Sequence, residues 1–381
     1  MIKTLLVDTN RASIPIYKEL IKEGHEVTVI GKNKREPLAQ ACNNYHCIDY
    51  ADINQLKEFI QKNDFDHFVP GCTDVSYKVL SEIIGSNSNN IDDIQKFKTI
   101  FEKDKFKELS NELKLSVART LSIENLDSAK EIIIKPNDSY SGIGIERVLN
   151  PTIEKVKNAI NNAKNKSKSE NIILEEYIDG QLYSHSAIIK DKSIVKDFFI
   201  KEDNSKGYFH VDTSCVEHNI KSSICNGVRK EINKIISKLS LESGIIHTQF
   251  ISKGSNYYLL ECTRRCPGDL YSLLVQFSTG YNYAKNYIAP FINQKPEENM
   301  DIYNQKKYII RHTVSSCANS FFSLNFNISV KLKSFYPLIT TGQLGISESQ
   351  RVAICFFESK TLEEHKNLYT TIMEGNLYSF D

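Results

Sequence analysis

No charge of one sign dominates this 381-residue chain: 48 Lys and Arg stand against 47 Asp and Glu, a formal net charge of +1. That balance offers no broad electrostatic surface to nucleic acid or to an anionic membrane. No apolar run approaches the ~20 residues that a membrane span requires. The opening segment, Met1 to Asp8, reads as a strand rather than a signal peptide, so the expected location is cytoplasmic. The turn after it, Asp8 to Ser13, lacks the GxGxxG fingerprint, which argues against a dinucleotide site. No segment ends in the glycine–lysine–serine of a P-loop, and neither GxSxG nor HExxH occurs. The nine cysteines are odd in number and scattered. Cys262 and Cys266 lie four apart with no second pair at zinc-finger spacing, so all read as reduced thiols.

The chain is long enough for two to four domains with a substantial core. Its first part alternates strand and helix. Residues 2–7 read as a strand, Ile14 to Glu23 as a helix ended by Gly24, and Glu26 to Ile30 as the next strand. Tyr45 to Asp49, the helix Ile53 to Gln61 and the strand His67 to Val69 continue the pattern. Such alternation predicts an open parallel sheet over residues 1–95. The turn Pro70-Gly-Cys-Thr-Asp74 falls at a strand's carboxyl end, where such sheets place ligands. It also fits a plain turn capped by Thr73 or Asp74. The tract Ser86 to Asn90 marks a boundary, and Lys98 to Leu113 reads as one charged helix.

Three segments then carry chemistry. In Glu131-Ile-Ile-Ile-Lys135-Pro136 a buried strand delivers a lysine to its end, and a loop with Ser141, Gly142 and Gly144 follows. Glycines there let backbone amides approach an anion while Lys135 adds a point charge. In Asn171-Ile-Ile-Leu-Glu175-Glu176-Tyr177-Ile178-Asp179-Gly180 a strand runs into an acidic connector. In Tyr257 to Gly268 a core strand exits through Glu261, Thr263, Arg264 and Arg265. A carboxylate followed four residues on by a guanidinium suits metal-bound phosphate: the acid holds Mg²⁺ and the planar fork takes phosphoryl oxygens. Each piece alone admits a plainer reading, as a surface ion pair or as a hairpin with a solvated lysine.

Taken in order, the strand-end lysine, glycine loop, acidic connector and Glu-x-x-x-Arg exit resemble the ATP-grasp superfamily, mostly carboxylate–amine ligases. The resemblance runs from Lys105 to Gly268. It implies a two-lobed ATP-binding fold with a small lobe over residues 96–185 and a large lobe over 186–300. A small α+β C-terminal unit is expected over 301–381. The implied cofactors are ATP and Mg²⁺. Lys105 would contact the α-phosphate, and Lys135, Ser141 and Gly142 would cradle phosphates. Glu175 would face the adenine amino group, and Ile178 would offer its backbone. The family's usual ribose-binding acid is Leu182 here, which leaves Glu176 or a residue outside the motif for that role. Gln249, Glu261 and Thr263 stand where the family has two acids and an asparagine at the metal. Arg265 aligns with the arginine that bridges the transferred phosphate and the acceptor.

The resemblance further implies ADP-forming ligation of a small carboxylate to an amine, such as an amino acid, through an acylphosphate. Alternatives are a kinase that stops at phosphoryl transfer and a non-catalytic nucleotide-binding module. The expected partners are small molecules, with neither nucleic acid nor membrane, and a homodimer is allowed. His210 and Asp212 flank a polar stretch, Glu202 to Gly207, that reads as a lid, and they are candidates for a general base. The plainer reading of His185, His210, His218 and His247 is structural. Arg264 either joins Arg265 on the acceptor carboxylate or points to solvent, and a helix is expected from about Gly227 to Leu241.

Overall fold

Short apolar runs separated by helices build the first sheet of the protein. The computed structural model describes residues 2–85, 90–128, 130–137, 142–167, 169–297, 307–316, 322–339 and 350–381. In chain order the first elements are β1 (Lys3–Val7), α1 (Ile14–Lys22), β2 (Glu26–Gly31), α2 (Pro37–Ala41), β3 (Tyr45–Cys47), α3 (Ile53–Lys62), β4 (His67–Pro70) and α4 (Asp74–Ile83). The four strands are parallel in the order β3-β2-β1-β4. The chain leaves β1 toward β2 and β3 on one side and returns to β4 on the other. The topological switch point therefore lies between the carboxyl ends of β1 and β4.

The single helix expected over Lys98 to Leu113 is two, α5 (Ile94–Phe101) and α6 (Lys103–Leu113). They break at Glu102, whose backbone is extended (φ −73°, ψ 121°) and which ends one helix and starts the next. A small antiparallel sheet follows: β5 (Glu131–Pro136), β6 (Glu146–Leu149), α7 (Ile153–Lys164) and β7 (Ile172–Glu176), in the order β6-β5-β7. Alternation along its strands sends Ile132, Ile134 and Leu174 into a core with Val156, Ala159 and Ala163 of α7. The opposite face carries Ile133, Lys135, Ile173 and Glu175, with Ile133 across from Glu175 and Lys135 across from Ile173.

The large lobe comprises β8 (Gln181–Lys190), β9 (Ser193–Asp203), β10 (Thr213–Val216), α8 (Ser222–Leu239), β11 (Gly244–Lys253), β12 (Asn256–Thr263), α9 (Tyr271–Thr279) and α10 (Tyr283–Ile288). Gly227, expected to open α8, lies inside it. A Cβ there would sit 2.5 Å from the Tyr257 ring, so the glycine serves close helix–strand packing. The last elements are β13 (Tyr308–Ser316), β14 (Leu324–Phe326), β15 (Leu332–Pro337), β16 (Gln350–Ser359), α11 (Leu362–Met373) and β17 (Tyr378–Phe380).

One eight-stranded sheet runs β12-β11-β8-β9-β10-β13-β16-β15, and β14 pairs with β17. The C-terminal strands thus continue the large sheet through the β10–β13 pairing. On one side of these strands a local core forms from Ile310, Val314, Val352 and Phe357 with Leu368 and Ile372 of α11. The expected fold class, an open parallel sheet followed by a two-lobed fold and a C-terminal α+β segment, is observed, except that β13, β15 and β16 of that last segment belong to the large-lobe sheet. No helix among the described residues is long and apolar enough to cross a membrane. The eight described cysteines are all free.

Candidate active site

The polar face of the small sheet meets α6 and β12 in a cavity. It is lined by Lys103, Phe106, Lys107, Val117, Lys135, Ile173, Glu175, Leu259 and Leu260. Because Lys135 and Glu175 share one face of neighbouring strands, the Lys135 ammonium reaches the Glu175 carboxylate at 2.8 Å. Lys107 approaches the other carboxylate oxygen at 2.5 Å and also donates to the Ala118 carbonyl. Burial alone would raise the Glu175 pKa, but the two ammonium groups more than offset it and hold it below the usual carboxylate value. Two lysines around one carboxylate leave a net positive charge in the cavity, which suits an anion.

Lys105 is not part of this cavity. Its ammonium pairs with Glu102 at 2.8 Å and is 39% exposed. Helical geometry explains the difference. Phe106 and Leu109 are buried, and Lys103 and Lys107, one turn apart, lie on the cavity side. Position 105 falls two residues from each and faces elsewhere. Sequence reasoning missed Lys107, although its i, i+4 spacing from Lys103 beside Phe106 was a usable signal.

Ser141 lies outside the described residues. Gly142 adopts φ +74°, and a Cβ there would lie 2.8 Å from Cβ of Phe209 and 3.2 Å from the His210 nitrogen. Gly142 therefore packs closely on the Phe209–His210 segment of the large lobe. Ile178 is buried just beyond β7, whereas Glu176 is partly exposed with Arg119 at 3.5 Å. The large-lobe loop is tied down by Asp212, which accepts from Ser205 N at 3.0 Å, Ser205 Oγ at 2.6 Å and Thr213 Oγ1 at 2.6 Å. His210 stacks on Tyr208, and burial lowers its pKa.

Leu259 and Leu260 line the cavity, and the same strand continues through Glu261 to its end at Thr263, with Arg265 two residues beyond. Gln249 of β11 lies across from Glu261, and a bulge follows at Gln249/Phe250, so the local pleat is re-aimed there. The Gln249 amide donates to Glu202 of β9 at 2.6 Å. Glu202 is 4% exposed. Burial pushes its pKa up to about 7, with the Glu261 charge adding, despite hydrogen bonds from Ser184 and Gln249 and the Arg311 charge. The structure thus gathers Gln249 and Glu261 and adds Glu202, which the sequence reading put at the start of the polar lid stretch and which lies buried in β9.

These are hard oxygen donors of the kind Mg²⁺ takes. Among the described residues no three His, Cys, Asp or Glu groups cluster as a metal cage. A cation here would complete its shell with water and phosphate oxygens, as Mg²⁺ commonly does. Thr263 is turned elsewhere: its hydroxyl donates to Asp74 at 2.9 Å. Arg265 forks onto the same carboxylate, with Nε and Nη2 each at 3.0 Å from its two oxygens.

Arg264 does not reach solvent. It is 1% exposed, with Nε at 2.6 Å from Asp92 and Nη2 at 2.6 Å from the Glu242 carbonyl. Tyr77 and the Glu242 amide also donate to Asp92, at 3.0 and 2.9 Å. Residues 263 and 265 share one side of the strand exit, so 264 is driven into the join between the α4–α5 linker and the large lobe. His247 is buried edge-on to Tyr271, and burial with the Arg265 charge lowers its pKa to about 3. Arg311, 2% exposed, was not foreseen either; it bonds the Asp269 carbonyl at 2.8 Å and Thr313 at 2.8 Å.

Residues 128–272 match the profile of the ATP-grasp domain. A formate-dependent phosphoribosylglycinamide formyltransferase from Methanococcus maripaludis is 26% identical over 187 residues, which make up 46% of this chain and 48% of that protein. The chain thus spans about half the length of that curated relative. An L-amino acid ligase from Bacillus licheniformis superposes with a TM-score of 0.79 at 14% identity, covering 100% of this chain and 98% of that one. A phosphoribosylglycinamide synthetase from Anaerococcus prevotii superposes at 0.77 and 16% identity, covering 100% and 99%. At such identities the solved structures speak to the fold alone.

Proposed function

Starting from a chain that carries an ATP-grasp domain, we propose that it is an ATP-dependent, ADP-forming ligase joining a small carboxylate to an amine. The observation that carries this reading is the course of β12. It leaves a cavity lined by Lys103, Lys107 and Lys135, passes Glu261 beside Gln249, and ends at Thr263, two residues before Arg265, which pairs with Asp74 next to the switch point of the parallel sheet. Nucleotide, metal, transferred phosphate and acceptor follow one another along that path.

In this reading the adenine lies against Leu259 and the segment Glu176 to Ile178. Lys107 and Lys135 hold phosphate oxygens. Glu175 orients both ammonium groups, a role that differs from the adenine contact expected from the sequence. Glu261 is the main metal ligand, with Gln249 and Glu202 beside it, and bound Mg²⁺ would neutralise charge on the triphosphate. The acceptor carboxylate attacks the γ-phosphorus, the bond to the β-phosphate oxygen breaks, and ADP leaves. Arg265 neutralises charge on the phosphoryl group in transit and on the acylphosphate. The amine then attacks the acyl carbon and phosphate departs. The acceptor sits by the carboxyl ends of β1 and β4, where ligands of open α/β sheets bind.

Formate and L-amino acids, the small carboxylates named in the relatives' descriptions, define the class to test. Magnesium-dependent ADP release across pooled small carboxylates and amines, with products read by mass spectrometry, tests the reading. ADP with a condensed product supports ligation, a stable phosphorylated acid points to a kinase, and no ADP with any pair contradicts both. The reading includes a cytoplasmic enzyme, and sedimentation decides between monomer and homodimer.

A further inference from the structure

The turn between β4 and α4 sends one carboxylate out of the N-terminal domain and onto the strand exit of the large lobe. Thr73 caps α4, accepting from the Ser76 amide at 3.2 Å, so Asp74 is not needed as the cap. Asp74 instead takes both Nε and Nη2 of Arg265 at 3.0 Å and the Thr263 hydroxyl at 2.9 Å. Only 17% of its side chain and 21% of that of Arg265 are exposed. Partly enclosed bidentate pairs are geometrically demanding, and this one has a rigid base.

That base has three parts. The Cys72 amide donates to Asp8 at 3.0 Å and to Ser13 Oγ at 3.1 Å. Gly71 abuts Asp8 so closely that a Cβ would lie 2.2 Å from Cβ of Asp8. From the large lobe, the buried Tyr287 hydroxyl of α10 donates to the Pro70 carbonyl at 2.9 Å. The turn is thus fixed to both its own sheet and the neighbouring lobe.

We infer that Asp74 is a positioning residue for Arg265, setting the guanidinium plane so that its remaining edge meets the transferred phosphoryl group. The inference rests on the ligase reading above. An arginine pinned along its Nε–Nη2 edge keeps Nη1 and the outer Nη2 hydrogen for an oxyanion. Its Nη1 contact with the Cys266 carbonyl, at 3.4 Å, is long and easily exchanged. Without the carboxylate the guanidinium keeps its charge and loses its orientation. The loss then falls on the phosphoryl group in transit and spares the bound nucleotide.

The test is calorimetric titration of the full chain with MgADP, and with MgADP plus aluminium fluoride as a mimic of the phosphoryl group in transit. Asp74→Asn should lose about 10- to 100-fold in affinity for the aluminium fluoride complex, the scale of a misplaced charge donor, and bind MgADP within about twofold of wild type. In an Arg265→Lys background Asp74→Asn should add little, because the fork it aligns is gone. If Asp74→Asn does not fold, Asp74→Glu, which keeps the charge and shifts it by a methylene, must show the same split between the two ligands. Equal or tighter binding of the aluminium fluoride complex by the Asp74 variant overturns the inference, as do fully additive losses in the double variant. Wild-type protein that fails to bind MgADP overturns the nucleotide reading itself, a result distinct from failure of the Asp74 variants.

Discussion

Replacing Lys107 by alanine separates the cavity seen in the structure from the assignment suggested by the sequence. Lys107 is about as enclosed as Lys135, and both touch Glu175. Removing it deletes one of the three lysines that line the cavity and one of the two that compensate Glu175. A hydrogen bond to a charged group contributes about 1.5–3 kcal/mol. At 1.4 kcal/mol per tenfold, Lys107→Ala should weaken MgATP binding by roughly 10- to 100-fold. Lys105, exposed and paired with Glu102 on its own helix, should change binding by less than about threefold when replaced, as surface pairs contribute little. Isothermal titration with MgATP measures both, with thermal unfolding as the control for folding. A larger loss for Lys105→Ala than for Lys107→Ala would refute the cavity and restore the sequence assignment.

Glu202 gives a pH signature. Its folded-state pKa of about 7 lies above the usual 4.5, so between these values the folded chain binds the extra proton and stability falls as pH rises. Glu202→Gln should remove this slope. Relative to wild type, the variant should gain up to about 3 kcal/mol between pH 4.5 and 8 in denaturant titrations, and parallel profiles would contradict the burial argument. Gly227→Ala should destabilise by roughly 1–3 kcal/mol, since the new Cβ meets the Tyr257 ring at 2.5 Å; an unchanged midpoint would mean that the ring moves aside freely. Glu261→Gln should raise the magnesium concentration needed for nucleotide binding while leaving the unfolding temperature within a few degrees, about the shift that 1 kcal/mol causes in a chain of this size. Unfolding at normal magnesium would make Glu261 structural.

Much of the scaffold was legible because strand alternation and helix period are local. Lys135 could be placed at the end of a three-isoleucine strand, and the face it shares with Glu175 follows from pairing. The break at Glu102 was not legible, since no Gly or Pro marks it and tertiary packing decides it. The same limit hid Lys107 behind Lys105: the choice depends on which helix face meets the small sheet. Gly227 read as a boundary because a glycine inside a helix is usually a cost, and the Tyr257 ring that requires it lies 30 residues on. Arg264 and Arg265 are adjacent and chemically identical, and only the position of Asp92 and Asp74 tells them apart. Thr73 and Asp74 were both plausible caps; the structure uses the threonine and frees the aspartate.

The central claim is that the carboxylate is activated as an acylphosphate before an amine takes its place. It is tested most directly with a carboxylate labelled in both oxygens with ¹⁸O, taken from whichever pair yields ADP, by mass analysis of the released phosphate. Attack on the γ-phosphorus followed by departure of phosphate moves one labelled oxygen from carbon to phosphorus. The account predicts one ¹⁸O in each phosphate and one retained in the amide product. Unlabelled phosphate would show that the carboxylate never bonded to phosphorus, and the ligase reading would fall.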